Sequence, residues 1–256
     1  MIPPFLVPGD DRGLLLGDGL FETMLCVDGE IRCLGAHLDR MAAGCAALGL
    51  PDLDREEAAR LCRAAPGEAG LEVGRAAVRL TLTAGSGGRG LDRPEGPTLR
   101  LFARAAPAPL PSAPATLALA RTRRNEGSPA SRLKTLAYLD NVLARSEARA
   151  AGADEAVMLN NRGELACASA ANLFWITGDQ LFTPALSCGV LNGIERARVL
   201  KTAAALGVEA RVVVAKPDVL ETAQAVFLTN SLIGVRAVSR LGEQAYGPHP
   251  LVARLA

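Results

Sequence analysis

At 256 residues, the chain is long enough for one large core or two modest ones, and a mean hydropathy of +0.19 excludes a disordered, solvating chain. With 28 basic residues against 27 acidic, the formal charge of +1 excludes a global field that would draw it to nucleic acid or to anionic membranes. No apolar run approaches the roughly 18 residues of a membrane span, and the opening MIPPFLVPGDDRG has no basic leader before an apolar stretch, so a cytoplasmic location is expected.

In chain order, LFETMLCVDGEIRCL predicts a strand, a tight turn at Asp28-Gly29 and a second strand. HLDRMAAGCAALGL repeats Leu38, Met41, Cys45 and Leu48 at helical spacing and ends at Gly49, which predicts an amphipathic helix with a glycine cap. AAVRLTLTAG and PTLRLFARA alternate as strands. Two stretches, 105–115 and 123–131, interrupt the pattern with Pro, Gly, Asn and Ser. TLALARTR then predicts a strand, and LDNVLARSEARAAGADE a helix with Leu139, Val142, Leu143 and Ser146 on one face. AVMLNNRGELACASAANLFWITGDQLFTP predicts a strand meander with turns at Asn160-Asn161 and Gly178-Asp179. ERARVLKTAAALGV predicts a helix, and ARVVVAKP and QAVFLTNS two strands. The sum is an α+β protein with a smaller N-terminal domain over 1–122, an interdomain loop at 123–131 and a larger C-terminal domain over 132–256.

Chemistry has few places to reside. The six cysteines (Cys26, Cys33, Cys45, Cys62, Cys167, Cys188) show no CxxC and no metal spacing, and His37 and His249 are the two histidines, so no metal site is expected. Three of the 28 basic residues are lysines. Lys201, on a predicted helix, and Lys216, before Pro217, read as solvated charges. Lys134 lies between Leu133 and Leu136, where burial would lower an amine's pKa and favour a nucleophile, although a partly buried structural lysine fits the same position.

Beyond these local readings, LLLGDGLFET, AHLDRM, GSGGRG, KTLAYLDNVLARSEARAAGADEAVML, GELACASAANLFW and GVLNGIERARV follow one another in the order and rough spacing of the class IV, fold-type IV enzymes that use pyridoxal 5'-phosphate. The chain resembles that family from about Arg12 to Arg236. The resemblance is strongest to its aminodeoxychorismate lyases, which implies release of pyruvate and 4-aminobenzoate from a small amino-acid-like substrate. An aminotransferase acting on branched-chain or D-amino acids is one alternative, and a catalytically weak cofactor-binding relative another. A homodimer is also implied.

The resemblance further implies that Lys134 carries the cofactor as a Schiff base and shuttles the substrate proton. Tyr138 would hydrogen-bond the cofactor's phenolic oxygen; without the resemblance it is equally a core tyrosine. Arg40 would bind phosphate with its planar fork, or is an exposed helix residue. Gly193, Ile194 and Glu195 stand where a turn gives way to a helix, whose unpaired N–H groups favour a phosphate. Asn230 and Ser231, after Thr229, would form the other half of that cup, or mark a plain strand-to-turn transition. Thr23 and Arg79 are candidates for the substrate, with Arg89 and Arg123 as further cations. One position departs from the family pattern. Five residues before Asn172, where relatives place a glutamate against the pyridine nitrogen, stands Cys167; Glu164 is three residues further off. A neutral thiol would leave the ring a poorer electron sink, which favours elimination with aromatisation over transamination.

Overall fold

A computed structural model describes residues 6–256, so residues 1–5 of the opening stretch read for a leader lie outside the described residues. Contacts divide the chain into two compact units. One comprises the chain up to Leu110 together with Leu133–Tyr138; the other comprises Pro111–Arg132 and Leu139–Ala256.

The first unit contains α1 (Arg12–Leu16), β1 (Gly19–Val27), β2 (Glu30–Ile31), α2 (Leu34–Ala47), α3 (Arg55–Glu68), β3 (Arg75–Thr83) and β4 (Arg100–Pro107). Its strands form an antiparallel sheet in the order β2-β1-β3-β4. The expected hairpin turn forms with Asp28 at φ 48° and Gly29 at φ 81°, the left-handed pair that matches the twist of the flanking strands. Alternation then sorts the faces. Leu20, Met24 and Cys26 of β1, with Ala76, Val78, Leu80 and Leu82 of β3, pack under Leu38, Met41 and Cys45 of α2 and Ala58, Cys62 and Ala65 of α3. Phe21, Thr23, Arg79, Thr81, Phe102 and Arg104 occupy the face opposite those helices.

Helix α3 has a start signal that a search for apolar periodicity overlooks. Asp54 precedes it in extended conformation, and its carboxylate accepts the Glu57 N–H at 2.9 Å, satisfying one of the first-turn donors. Asp54→Ala should cost about 1 kcal/mol in urea unfolding, while Asp54→Ser should restore most of it.

The second unit contains β5 (Ala115–Leu119), α4 (Leu139–Ala150), β6 (Glu155–Leu159), β7 (Leu165–Ala168), β8 (Asn172–Thr177), β9 (Gln180–Pro184), α5 (Ile194–Ala205), β10 (Ala210–Val213), β11 (Ala225–Asn230), β12 (Gly234–Leu241), β13 (Gln244–Ala245) and α6 (Pro250–Leu255). The main strand order is β10-β9-β8-β11-β12-β5-β6-β7, with β13 beside β12. Strands β8 and β11 are apolar on both faces, which is why NLFWIT and AVFLTN read as continuous runs. Phe174, Ile176, Ala225 and Phe227 pack against Val199 and Ala203 of α5 and Leu251, Val252 and Leu255 of α6. Leu173, Trp175, Val226 and Leu228 fill the other face. The Phe174 and Phe227 rings stack at 5.0 Å.

The apolar face expected on α4 exists but is turned outward. Leu139, Val142 and Leu143 are 66%, 56% and 48% exposed, and the helix instead buries Asn141, Ala144 and Ala148. Small residues on both sides, with Ala118, Ala120, Ala153 and Ala156 opposite Ala144 and Ala148, let α4 lie close on β5 and β6.

Candidate functional site

Lys134 is fixed to the first sheet by backbone hydrogen bonds. Phe21 N–H donates to the Lys134 carbonyl at 2.9 Å, and Leu136 N–H to the Gly19 carbonyl at 3.0 Å, with Leu20 and Thr135 bridged antiparallel. Thr135 is buried on the Leu20 side, so alternation sends Lys134 to the Phe21 side. Its Nζ lies 4.2 Å from the Phe21 ring centroid and 5.4 Å from that of Tyr138, and the two rings meet edge to face at 5.0 Å. The Arg79 guanidinium lies 3.8 Å from the same Phe21 centroid. Burial lowers the Arg79 pKa from its ordinary value, an effect the neighbouring Tyr138 opposes. Only glycine fits at position 19, where a Cβ would stand 2.2 Å from the Leu82 carbonyl oxygen. Three sequence candidates, Lys134, Tyr138 and Arg79, thus gather around one phenylalanine, with Thr23 opposite Arg79 in the register.

Arg40 lies toward the helical side of the sheet. Its Nε and one terminal nitrogen donate to the two Glu22 oxygens at 2.7 and 2.6 Å, and His37 Nδ1 is 2.6 Å from the same carboxylate. Glu22 and His37 are each 1% exposed in the side chain, and Arg40 is 19% exposed. Burial works to raise the Glu22 pKa, but the hydrogen bonds from Arg40 and His37 and their charges outweigh it, leaving the carboxyl below its ordinary range. The spacing HLDR already held this cluster: His37 and Arg40 are three apart on one helix face, and Glu22 alternates onto the core side of β1.

In the second unit, Gly193 caps α5 in extended conformation with no side-chain partner for the helix donors. The first intrahelical bond runs from Ala197 N–H to the Gly193 carbonyl, so the N–H groups of Ile194, Glu195 and Arg196 precede any helix acceptor. Asn172 locks this turn: its Nδ2 donates to the Leu191 carbonyl at 2.9 Å, and a Cβ on residue 193 would stand 2.0 Å from its Oδ1. Thr229 pairs with Asn172 across β11 and β8 and shares the α5 face with Phe227. It is wholly buried, and its Oγ1 has no hydrogen-bond partner. An orphaned hydroxyl beside a helix start rich in free N–H groups is a donor set matched to a phosphate. Asn230 closes the following turn, its Oδ1 accepting from Leu232 and Ile233 and its Nδ2 donating to the Ala170 carbonyl; Ser231 lies in the same turn.

The amino-transferase class IV family profile matches residues 19–241. The chain belongs to the class IV aminotransferase family. An aminodeoxychorismate lyase of Bacillus subtilis is 28% identical over 241 residues, 93% of this chain and 82% of that one. The crystal structure of 4-amino-4-deoxychorismate lyase from Pseudomonas aeruginosa is 33% identical, with a TM-score of 0.89 covering 99% of this chain and 94% of that one. The branched-chain-amino-acid aminotransferase of Escherichia coli is 34% identical over 116 residues, 43% of this chain and 38% of that one.

This class IV chain holds Cys167 in β7, buried among Ala166, Cys188 and Val190. Burial raises its pKa, an effect opposed by the nearby Arg124 charge and aided by Glu155, so the group is a protonated thiol near neutral pH. Glu164 is engaged elsewhere. It accepts from Asn160 Nδ2 at 2.7 Å and Arg162 Nε at 2.9 Å, closing the β6–β7 turn. Among the described residues there is no group of three or more His, Cys, Asp or Glu able to hold a metal, and no helix long and apolar enough to cross a membrane.

Proposed function

We propose that the protein is an aminodeoxychorismate lyase that uses pyridoxal 5'-phosphate, held through Lys134, to release pyruvate and 4-aminobenzoate. The observation that carries this reading is the Lys134 amine set over Phe21 beside Tyr138 and Arg79, in a class IV chain whose lyase relatives match nearly its full length. When bound, the cofactor supplies an aldehyde that condenses with amines and a ring that withdraws electrons.

The chain's own groups divide the remaining work. Lys134 Nζ would hold the cofactor through its aldehyde and, as a free amine, would take the proton from the substrate's ring carbon. Tyr138 orients the cofactor ring from beside the lysine. The N–H groups of Ile194 and Glu195, the Thr229 hydroxyl, and Asn230 and Ser231 hold the phosphate, with Gly193 keeping the entrance free of a side chain. Arg40 adds positive charge, already shared with Glu22. Thr23 and Arg79 face the substrate. Cys167, a neutral thiol, contributes no negative charge to the ring, which suits a reaction whose product gains aromaticity and therefore depends less on the cofactor as a sink.

The exposed Leu139, Val142 and Leu143 stripe supports the expected homodimer, since a contiguous apolar helix face marks an interaction surface.

The deciding assay supplies purified protein and cofactor with aminodeoxychorismate and follows pyruvate and 4-aminobenzoate in equal amounts. Amino exchange with a keto acid, without pyruvate release, would establish the aminotransferase instead. The phosphate assignment has its own check. Thr229→Val should weaken cofactor binding about tenfold in equilibrium titration while changing the stability of the cofactor-free protein by less than about 0.5 kcal/mol. Unchanged affinity removes Thr229 from the cup.

A further inference from the structure

Helix α5 buries a cation that meets no opposite charge. Arg196 is 4% exposed and heads the face of α5 that continues through Val199 and Ala203 into the core. Its side chain turns back over the start of the helix, the direction helical side chains take. One terminal nitrogen reaches Asn192 Oδ1 at 3.4 Å and the other the Pro184 carbonyl at 3.3 Å, both long for hydrogen bonds and both to neutral acceptors. The Nε has no partner. The neighbouring carboxylate, Glu195, is taken by Arg198. Burial alone pulls the Arg196 pKa below its ordinary value, with no nearby charge opposing it.

A guanidinium so placed is disfavoured twice. It is removed from water without an anion, and it stands over the positive end of the helix dipole. Thr229 extends the same layer. It lies two residues beyond Phe227 on the strand face that packs against Val199 and Ala203, and its Oγ1 is likewise buried without a partner. Its cross-strand neighbour Asn172 abuts Gly193 where the helix begins. Both orphaned groups therefore lie toward one end of one layer, the end at which the N–H groups of Ile194 and Glu195 precede any helix acceptor.

A dianion answers the charge and the unpaired donors together, whereas a neutral ligand leaves the charge unanswered. We infer that Arg196 is the counter-ion of the cofactor's phosphate, so that the site selects a phosphate monoester over the same compound without its phosphate. The inference rests on the cofactor reading above and adds to it a residue that reading does not use.

The test titrates the full-length, cofactor-free protein as wild type, Arg196→Met and Arg196→Lys. The probes are pyridoxal 5'-phosphate, pyridoxal and, followed by phosphorus NMR, inorganic phosphate. Arg196→Met should raise the Kd for pyridoxal 5'-phosphate and for inorganic phosphate about tenfold to a hundredfold, and should leave that for pyridoxal within about threefold of wild type. Arg196→Lys, which restores charge without the planar fork, should fall between the two.

Equal losses for the phosphorylated and unphosphorylated aldehydes would mark Arg196 as merely structural and overturn the inference. So would unchanged affinities, or a lysine variant no better than methionine. The underlying reading fails separately, if the wild type forms no borohydride-stable adduct with either aldehyde. Inorganic phosphate then still decides the role of Arg196, and phosphate that binds wild type and Arg196→Met equally, or neither, counts against it. Should the methionine variant unfold, Arg196→Gln, which keeps a polar side chain without the charge, repeats the comparison.

Discussion

Replacing Lys134 with alanine is expected to lower kcat for pyruvate release by at least about 10³-fold, and to remove the permanent adduct that borohydride leaves on the wild-type peptide spanning Leu133–Tyr138. The expectation follows from chemistry that few residues in the chain can offer. Condensation with an aldehyde needs an amine able to lose a proton, which excludes every arginine. Of the other lysines, Lys201 is exposed on α5, and Lys216 donates to the Arg162 carbonyl in the second unit. Lys134→Arg should be as inactive as alanine, because positive charge is retained and nucleophilicity is not. Stability should move by less than about 1 kcal/mol, since the segment is held by its backbone. A borohydride adduct mapped to Lys201 or Lys216 in the wild type would end the assignment.

Glu22→Ala should cost about 3–5 kcal/mol in unfolding free energy, because it strips the carboxylate from a buried cluster and leaves the Arg40 guanidinium facing a site that excludes water. Glu22→Gln should cost less, since it still offers one acceptor oxygen. The pH dependence has a definite sign. The Glu22 carboxyl is held below its ordinary range, so the stabilisation is complete above about pH 4.3 and fades as the pH falls through the lowered native value. Urea unfolding of wild type and Glu22→Gln should therefore differ most near neutrality and converge on acidification. A gap that widens toward low pH would mean that Glu22 is not the anionic centre of the cluster.

Much of the fold was legible because local patterns and tertiary demands agree. Asp28-Gly29 turns as its dipeptide dictates, and Leu38, Met41 and Cys45 enter the core at their helical spacing. Helix α3 escaped because REEAARLCRAAPGE is mostly polar and small; its capping aspartate was the better signal. On α4 the periodicity was right and its direction was not, because alanines permit closer packing than leucines and the apolar side was left for other contacts. The candidate site was legible in its chemistry, through the scarcity of lysine and the shared motifs. Its cross-strand geometry was not. That Phe21 would gather Lys134, Tyr138 and Arg79 depends on strand register, which one residue of slip reverses. The same holds for Thr229, whose hydroxyl became informative only once it was seen to lack a partner.

The route of the chain between its two units bears on how it is made. The piece that completes the edge of β1, Leu133–Tyr138, is translated more than a hundred residues after Gly19 and is flanked on both sides by segments of the other unit. As the ribosome feeds out the N-terminal sheet, the edge at Gly19–Phe21 must wait for that late segment, while Pro111–Arg132 emerges before the strands it will join. Neither unit is one unbroken stretch of chain, so a nascent polypeptide stalled near residue 110 would display an uncapped strand edge, a surface that chaperones cover during synthesis.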